Sequence, residues 1–98
     1  MNDGQFLAVC DEAFDQIESL LDTLQAEGAN FEYASGTEGV LEIELGNGAH
    51  VMINRHVAAR EIWVAEPGGG FHFGYGEAGW VDTRSGVDLF NHLRRLLA

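Results

Sequence analysis

Four acidic residues near the start of the chain have the spacing of one helix face. At positions i, i+4, i+7 and i+11, the sequence carries Asp11, Asp15, Glu18 and Asp22. At 3.6 residues per turn these side chains fall within an arc of roughly 60°. Carboxylates on adjacent turns can share a hard cation, which keeps most of its water at such an exposed site. The stripe could instead contact a basic protein surface, or remain a solvated face, as most charged faces do.

The stripe belongs to an amphipathic helix that we expect to begin near Asn2 or Asp3 and to end around Gly28. Its apolar side carries residues at helical spacing, namely Phe6, Cys10, Phe14, Ile17, Leu21 and Leu24. The single cysteine excludes an intramolecular disulfide. Because Cys10 lies on the apolar side, it is predicted to be a buried structural thiol rather than a nucleophile.

The charge of the chain is strongly negative and unevenly distributed. Sixteen Asp and Glu residues stand against five arginines and no lysine, which gives a net charge of −11. Residues 1 to 54 hold eleven of these acids and no lysine or arginine. Such a field repels nucleic acid and anionic lipid and attracts basic protein surfaces and cations. We therefore expect no nucleic-acid or membrane partner, and the lack of a leader-like or membrane-spanning segment favours a cytoplasmic protein.

After Gly28 the apolar residues alternate, which indicates strands. The clearest example is VLEIEL (40 to 45), and further runs follow at AHVMINR, EIWVA, FHFGY and WVDT. The connections between them are too short for crossover helices, so the strands should form an antiparallel meander. The Asn47-Gly48 pair predicts a tight hairpin in which these residues supply positive φ angles.

A second helix is predicted at the end of the chain, with Ser85 as its N-cap and Asp88 as the partner in a capping box. Its apolar side would carry Leu89, Phe90, Leu93 and Leu96. Ser85, Asp88 and His92 also lie close together in sequence, but the capping role explains Ser85 and Asp88 better than a catalytic triad does. The glycines of PGGGF precede a strand and predict a turn rather than a phosphate-binding loop. We therefore do not expect an enzyme.

These elements predict one α+β domain over residues 1–98. It is a two-layer sandwich in which both terminal helices pack on one face of a five- to six-stranded antiparallel sheet. The other face of the sheet stays open and would present Glu42, Glu44, Met52 and Asn54. Trp63 would join them if its neighbours Ile62 and Val64 point inward, and it would then be an interface anchor. Its burial in the core is the alternative.

The order of motifs resembles the frataxin family in its bacterial CyaY-type form. The resemblance covers nearly the whole chain and rests on MNDGQF, the acidic first helix, GVLEIEL, VMINRH, EIWVAE, GGGFHF, the W-V-D run and the terminal helix. The fold of that family is the sandwich predicted above. The resemblance implies an iron-binding accessory and regulatory protein of iron–sulfur cluster assembly. Such a protein docks on cysteine desulfurase and modulates sulfur transfer to the iron–sulfur scaffold protein.

The resemblance also assigns roles to particular residues. Carboxylates of the first helix and first strand bind iron and meet a basic patch of the desulfurase, which here implies Asp3, Asp11, Glu18, Asp22 and Glu32. Asp15 joins this set by its place on the helix face. On the open sheet face, the family's interaction residues correspond to Asn54 and Trp63, beside Glu42 and Glu44.

Iron bound by such carboxylates should be weakly held and exchangeable, and other divalent or trivalent cations should substitute for it. The four histidines lie on separate segments, although His50 and His72 could add a nitrogen ligand to a sheet site. The chain departs from the family at His56, where glutamine is usual, and at uncharged positions such as Ser19 and Gln25. These uncharged positions predict fewer or weaker iron sites.

Two functional hypotheses remain open from the sequence. In the first, the acids bind iron and the same field recruits the desulfurase. In the second, the chain is an acidic protein-protein adaptor in which metal binding is incidental. The protein is expected to be a monomer, and whether it oligomerises with iron stays open.

Overall fold

The chain begins with a long helix, α1 (Asp3–Ala26), in a computed structural model that describes residues 1–98. Asn2 caps it, because its side-chain oxygen accepts a hydrogen bond from the Gln5 N–H at 2.8 Å. The Gln5 side chain accepts in return from the Asn2 N–H at 2.9 Å, which completes a capping box. Gly28, with a φ of 100°, turns the chain away after the helix. The predicted start and end of α1 are confirmed.

Six strands follow, and each pairs antiparallel with the next one along the chain. They are β1 (Phe31–Ser35), β2 (Val40–Leu45), β3 (His50–His56), β4 (Glu61–Glu66), β5 (Gly69–Gly76) and β6 (Gly79–Asp82). A second helix, α2 (Leu89–Leu97), ends the chain. The predicted α+β sandwich is therefore confirmed, with six strands in the sheet.

Eighteen buried residues, contributed by both helices and all six strands, form one hydrophobic cluster between the layers. Strand alternation supplies its sheet half, since Leu41 and Ile43 are buried while Glu42 and Glu44 are exposed. The predicted apolar side of α1 is shifted slightly, because Ala13 is fully buried and Phe14 only half-buried. Neither helix combines the length and the apolar character needed to cross a membrane.

The predicted cap of α2 is wrong. Its N-cap is Asp88, whose side chain accepts from the Asn91 N–H at 3.0 Å. Ser85 lies outside the helix because Gly86, with a φ of 75°, breaks any helical path from Ser85 to Asp88. The Ser85 hydroxyl instead donates to Asp82 at 2.8 Å.

The predicted hairpin at Asn47-Gly48 forms, but only Gly48 has a positive φ, of 88°. Asn47 keeps a negative φ, and its side-chain oxygen accepts from the Ala49 N–H at 2.9 Å. This side-chain bond stabilises a longer connection in place of the two-residue turn.

Candidate metal-binding and docking surface

The four acids of the predicted stripe line the flank of α1 that runs beside the edge strand β1. We call Asp11, Asp15, Glu18 and Asp22 the acidic ridge. All are exposed except Glu18, which is half-buried. The ridge takes this position because the opposite side of α1 is apolar and packs against the sheet.

Two side chains of β1 hydrogen bond to the ridge. The Tyr33 hydroxyl donates to Asp22, and the Ser35 hydroxyl donates to Glu18 at 2.9 Å. The bond to Asp22 raises the pKa of Tyr33 to about 12, because the hydrogen-bonded phenol is favoured over a phenolate beside a carboxylate. The acids at this end of the ridge are therefore already partly engaged by the protein.

A cation of the chain itself occupies the other end. The Arg55 guanidinium lies 3.5 Å from Asp11 and 3.7 Å from Glu38 of the β1–β2 connection. Gly39 makes room for it, since a Cβ at that position would lie 2.5 Å from the Arg55 side chain. Neither Arg55 nor Glu38 was among the residues predicted from the sequence to lie at this surface. The alternation of strand β3 could have predicted the position of Arg55. It lies two residues after the inward-facing Ile53 and therefore points to the same side of the sheet, toward the helices.

Between the ridge and the β1–β2 connection lies an open groove of about 220 Å³ whose carboxylates come from Asp11, Asp15, Glu18 and Glu38. The Asp15 side chain forms no hydrogen bond or ion pair within the protein. No three His, Cys, Asp or Glu side chains converge closely enough to hold a metal ion. The groove therefore offers hard oxygen donors without a preformed coordination cage, which suits a hydrated, exchangeable cation.

The other two residues predicted to bind metal lie elsewhere. Asp3 forms an ion pair with Arg60, about two helical turns from Asp11. Glu32 projects from the opposite side of β1 to Tyr33 and lies on the open sheet face, where it pairs across the strands with Glu44. The six residues grouped by the sequence thus occupy three separate places.

The four residues predicted to contact a partner share the open sheet face. Glu42 and Glu44 flank His50, whose ring nitrogens lie 3.1 Å from Glu42 and 3.8 Å from Glu44. Glu32 lines the same shallow depression. Asn54 is paired across the strands with Trp63. This face therefore combines an acidic corner near β1 with an aromatic centre on β4.

Trp63 is half-buried on the open face, and Ile62 and Val64 point into the core. Its indole is stacked between His56 and His72, at ring-centroid distances of 3.9 Å and 4.4 Å. The indole N–H donates to Glu61 at 2.8 Å. The structure thus places Trp63 outside the core but with its side chain held in one orientation. His50 and His72, each of which could add a nitrogen ligand to a sheet site, lie apart, His50 beside Glu42 and Glu44 and His72 against Trp63.

Two further predictions concern reactive side chains. Cys10 is fully buried, and burial raises the pKa of its thiol to about 11, so it is a poor nucleophile and a poor metal ligand. The Ser85 hydroxyl bonds to Asp82, and the His92 ring lies 3.2 Å from Glu66. Ser85, Asp88 and His92 therefore do not form a triad.

Comparisons with known proteins agree with this architecture. The family model described as a frataxin-like domain matches residues 1–98. The iron-sulfur cluster assembly protein CyaY of Dechloromonas aromatica (strain RCB) is 42% identical over 96 residues, covering 98% of this chain and 89% of its own. The protein of the same name from Neisseria meningitidis serogroup B (strain ATCC BAA-335 / MC58) is 33% identical over 98 residues, covering 100% and 88%. The solved structure of a frataxin from Psychromonas ingrahamii superposes with a TM-score of 0.86 at 28% identity, covering 98% and 88%.

Proposed function

The chain belongs to the frataxin-like family, and from that premise we propose that it is an accessory and regulatory protein of iron–sulfur cluster assembly. The relatives that carry the name iron-sulfur cluster assembly protein CyaY support this role. The proposed activity is non-enzymatic. The protein binds iron weakly at the acidic ridge and docks on cysteine desulfurase, beside the scaffold protein, through the same surface.

The observation that carries the proposal is the open groove between the ridge and the β1–β2 connection. It gathers carboxylates from two elements, and Asp15 stands among them without a partner in the protein. Iron, as cargo, would occupy this groove with most of its water in place, so that it can be transferred. Mn²⁺, Co²⁺ or lanthanides would compete for the same oxygens.

Docking would use the ridge together with the open sheet face. A basic patch on the desulfurase would meet the ridge and the acidic corner at Glu32, Glu42 and Glu44. Long-range attraction to the charge of −11 would speed the encounter. Trp63 and Asn54 would supply the central contact, because an indole held in one orientation loses little conformational entropy on binding.

A second function is favoured by a specific observation. Three of the four ridge acids already have partners, namely Arg55, Ser35 and Tyr33. Together with the absence of a converging metal cluster, this supports an acidic adaptor in which metal binding is incidental. In that case the ridge serves a basic partner alone.

The test is an anaerobic Fe(II) titration of isotope-labelled protein, followed by NMR of the backbone amides. Under the iron proposal, broadening begins at Asp15 and Glu18 and reaches Glu38, and it is absent at Asp3 and Glu32. If the backbone amide signals of the ridge residues do not change up to millimolar iron, only the adaptor function remains.

A binding measurement separates the two roles further. Asp15→Asn and Glu18→Gln should weaken desulfurase binding more in the presence of Fe(II) than in its absence if iron participates. Equal weakening under both conditions supports the adaptor. Glu27→Gln, which removes one exposed charge at the far end of α1, is the matched control. It should weaken desulfurase binding less than the ridge variants do, both with and without Fe(II).

A further inference from the structure

A second concave site lies on the other flank of α1, facing α2 and the end of the sheet. This cleft has a volume of about 180 Å³, smaller than typical drug-sized pockets. Aromatic side chains supply its apolar walls, and carboxylates stand at its rim. The residues that line it include Glu12, Gln16, Tyr75, Trp80, Asp88 and Phe90.

The aromatic walls come from three different elements. Tyr75 packs against Trp80 with a centroid distance of 5.0 Å and an interplanar angle of 51°. Trp80 is only 4% exposed, whereas Tyr75 is 48% exposed, an unusual value for an aromatic residue in this chain. Phe90 closes the cleft from α2 and is half-buried. Aromatic rings arranged around an open cleft attract cations through the negative faces of their π systems.

The charges at the rim have one sign. Glu12 is exposed on α1, and Asp88 uses one carboxylate oxygen, Oδ2, to cap α2. Its other oxygen, Oδ1, accepts no hydrogen bond from the protein. Gln16 adds an amide, and none of the five arginines lines the cleft. A cation in the cleft would therefore meet carboxylates and aromatic faces with no competing basic side chain.

We infer that this cleft binds a small organic cation with a short apolar stem, of the alkylguanidinium or alkylammonium class. The stem would contact Tyr75 and Phe90, and the cationic head would donate hydrogen bonds to Glu12 and Asp88. Free guanidino compounds and the arginine side chain of a polypeptide share this chemistry. The site is separate from the groove beside the acidic ridge, because no residue lines both of them.

The test is an NMR titration of the iron-free protein with n-butylguanidinium, with n-butylurea as the uncharged compound of similar shape. Saturable shifts are expected at the Trp80 indole N–H and at Tyr75 and Phe90. Binding should weaken about two- to fivefold in Tyr75→Leu, which keeps an apolar contact but removes the ring. Glu12→Gln should also weaken it, whereas Glu27→Gln should not.

Three outcomes would overturn the inference. The first is a set of shifts confined to the acidic ridge, which would indicate attraction by the net charge alone. The second is equal binding of n-butylurea, and the third is equal weakening by Glu27→Gln and Glu12→Gln. A parallel titration with acetyl-Gly-Arg-Gly-amide identifies the source of the ligand. If this peptide binds as tightly as n-butylguanidinium, the cleft accepts an arginine side chain, and if it is excluded, the cleft takes a free compound.

Discussion

Asp82 is the buried polar residue on which the end of the sheet depends. The residue as a whole is 5% exposed. Its side chain accepts hydrogen bonds from the N–H groups of His72, Arg84 and Ser85 and from the Ser85 hydroxyl. Burial acts to raise the pKa of this carboxyl, but the bonds from Ser85, His72 and Arg84 outweigh burial and lower the pKa below its ordinary value of 3.8. The carboxylate thus fixes the loop that leads from β6 to α2.

Asp82→Asn is expected to destabilise the protein by about 1–3 kcal/mol, because an amide leaves some of these donors without a charged acceptor. A lowered pKa in the folded state means that the ionised carboxyl contributes stability above its unfolded pKa. This contribution is lost as the pH falls through the folded value. The stability gap between wild type and Asp82→Asn should therefore be full at neutral pH and shrink below about pH 4.

Urea unfolding at several pH values measures this gap. Glu77→Gln provides the control, since Glu77 is an exposed acid in the β5–β6 turn and makes no hydrogen bond or ion pair. A gap that stays constant down to the lowest pH would contradict the assignment of the effect to the Asp82 carboxylate.

On the flank of α1, the helix and the edge strand β1 together determine how much each acid of the ridge costs in stability. Within the helix alone, Asp15 lies one turn from three other acids, Asp11, Glu12 and Glu18. Each such like-charge pair costs about 0.2–0.5 kcal/mol. Strand β1 offsets this repulsion at some of the acids only, because its side chains donate hydrogen bonds to Glu18 and Asp22 but not to Asp15. The acids of the ridge are therefore not equivalent.

Asp15→Asn is expected to raise the melting temperature by a few degrees, since it removes three repulsive pairs and no side-chain bond. Asp22→Asn should give no such rise, because it weakens the bond from Tyr33 while removing one repulsive pair. It should also lower the pKa of Tyr33 from about 12 toward 10. Thermal unfolding followed by circular dichroism, and the ultraviolet absorbance of the phenolate, measure the two effects. Equal rises in both variants would mean that the Tyr33–Asp22 bond contributes no stability.

The whole molecule carries its charge of −11 with little internal compensation. Arg55 and Arg60 form ion pairs with acids of α1 and the β1–β2 connection, whereas Arg84, Arg94 and Arg95 form none. Repulsion among the remaining carboxylates opposes the compact state, and added salt screens it over a distance of about 10 Å at 0.1 M ionic strength.

The melting temperature is therefore expected to rise between about 0.01 M and about 0.5 M sodium chloride. The rise should be smaller in the combined variant Asp11→Asn, Asp15→Asn, Glu18→Gln, because less repulsion is left to screen. A melting temperature that falls with salt would show instead that the ion pairs of Arg55 and Arg60 outweigh the repulsion.

The sequence by itself determined the order and faces of the elements. Periodicity of apolar residues placed α1 and the strands and put Glu42, Glu44 and Asn54 on a face of their own, because the local repeat of a helix or strand decides which side chains share a side. It left Trp63 open between that face and the core. The wrong predictions from the sequence concern loops. There Ser85 and Asn47 form side-chain hydrogen bonds, and residue propensities do not distinguish these roles from a helix N-cap or a two-residue turn.

Only the tertiary structure decided which of those side chains meet. Glu32 and the ridge belong to neighbouring elements, yet the pleat of β1 turns Glu32 to the other face of the sheet. Arg55, Glu38 and Tyr33 reach the ridge from distant positions in the chain, and the cleft at Tyr75 and Phe90 exists only where α2 packs beside α1. These contacts depend on how the helices and the sheet pack together. The spacing of residues along the sequence carries no information about the distances between side chains of packed elements.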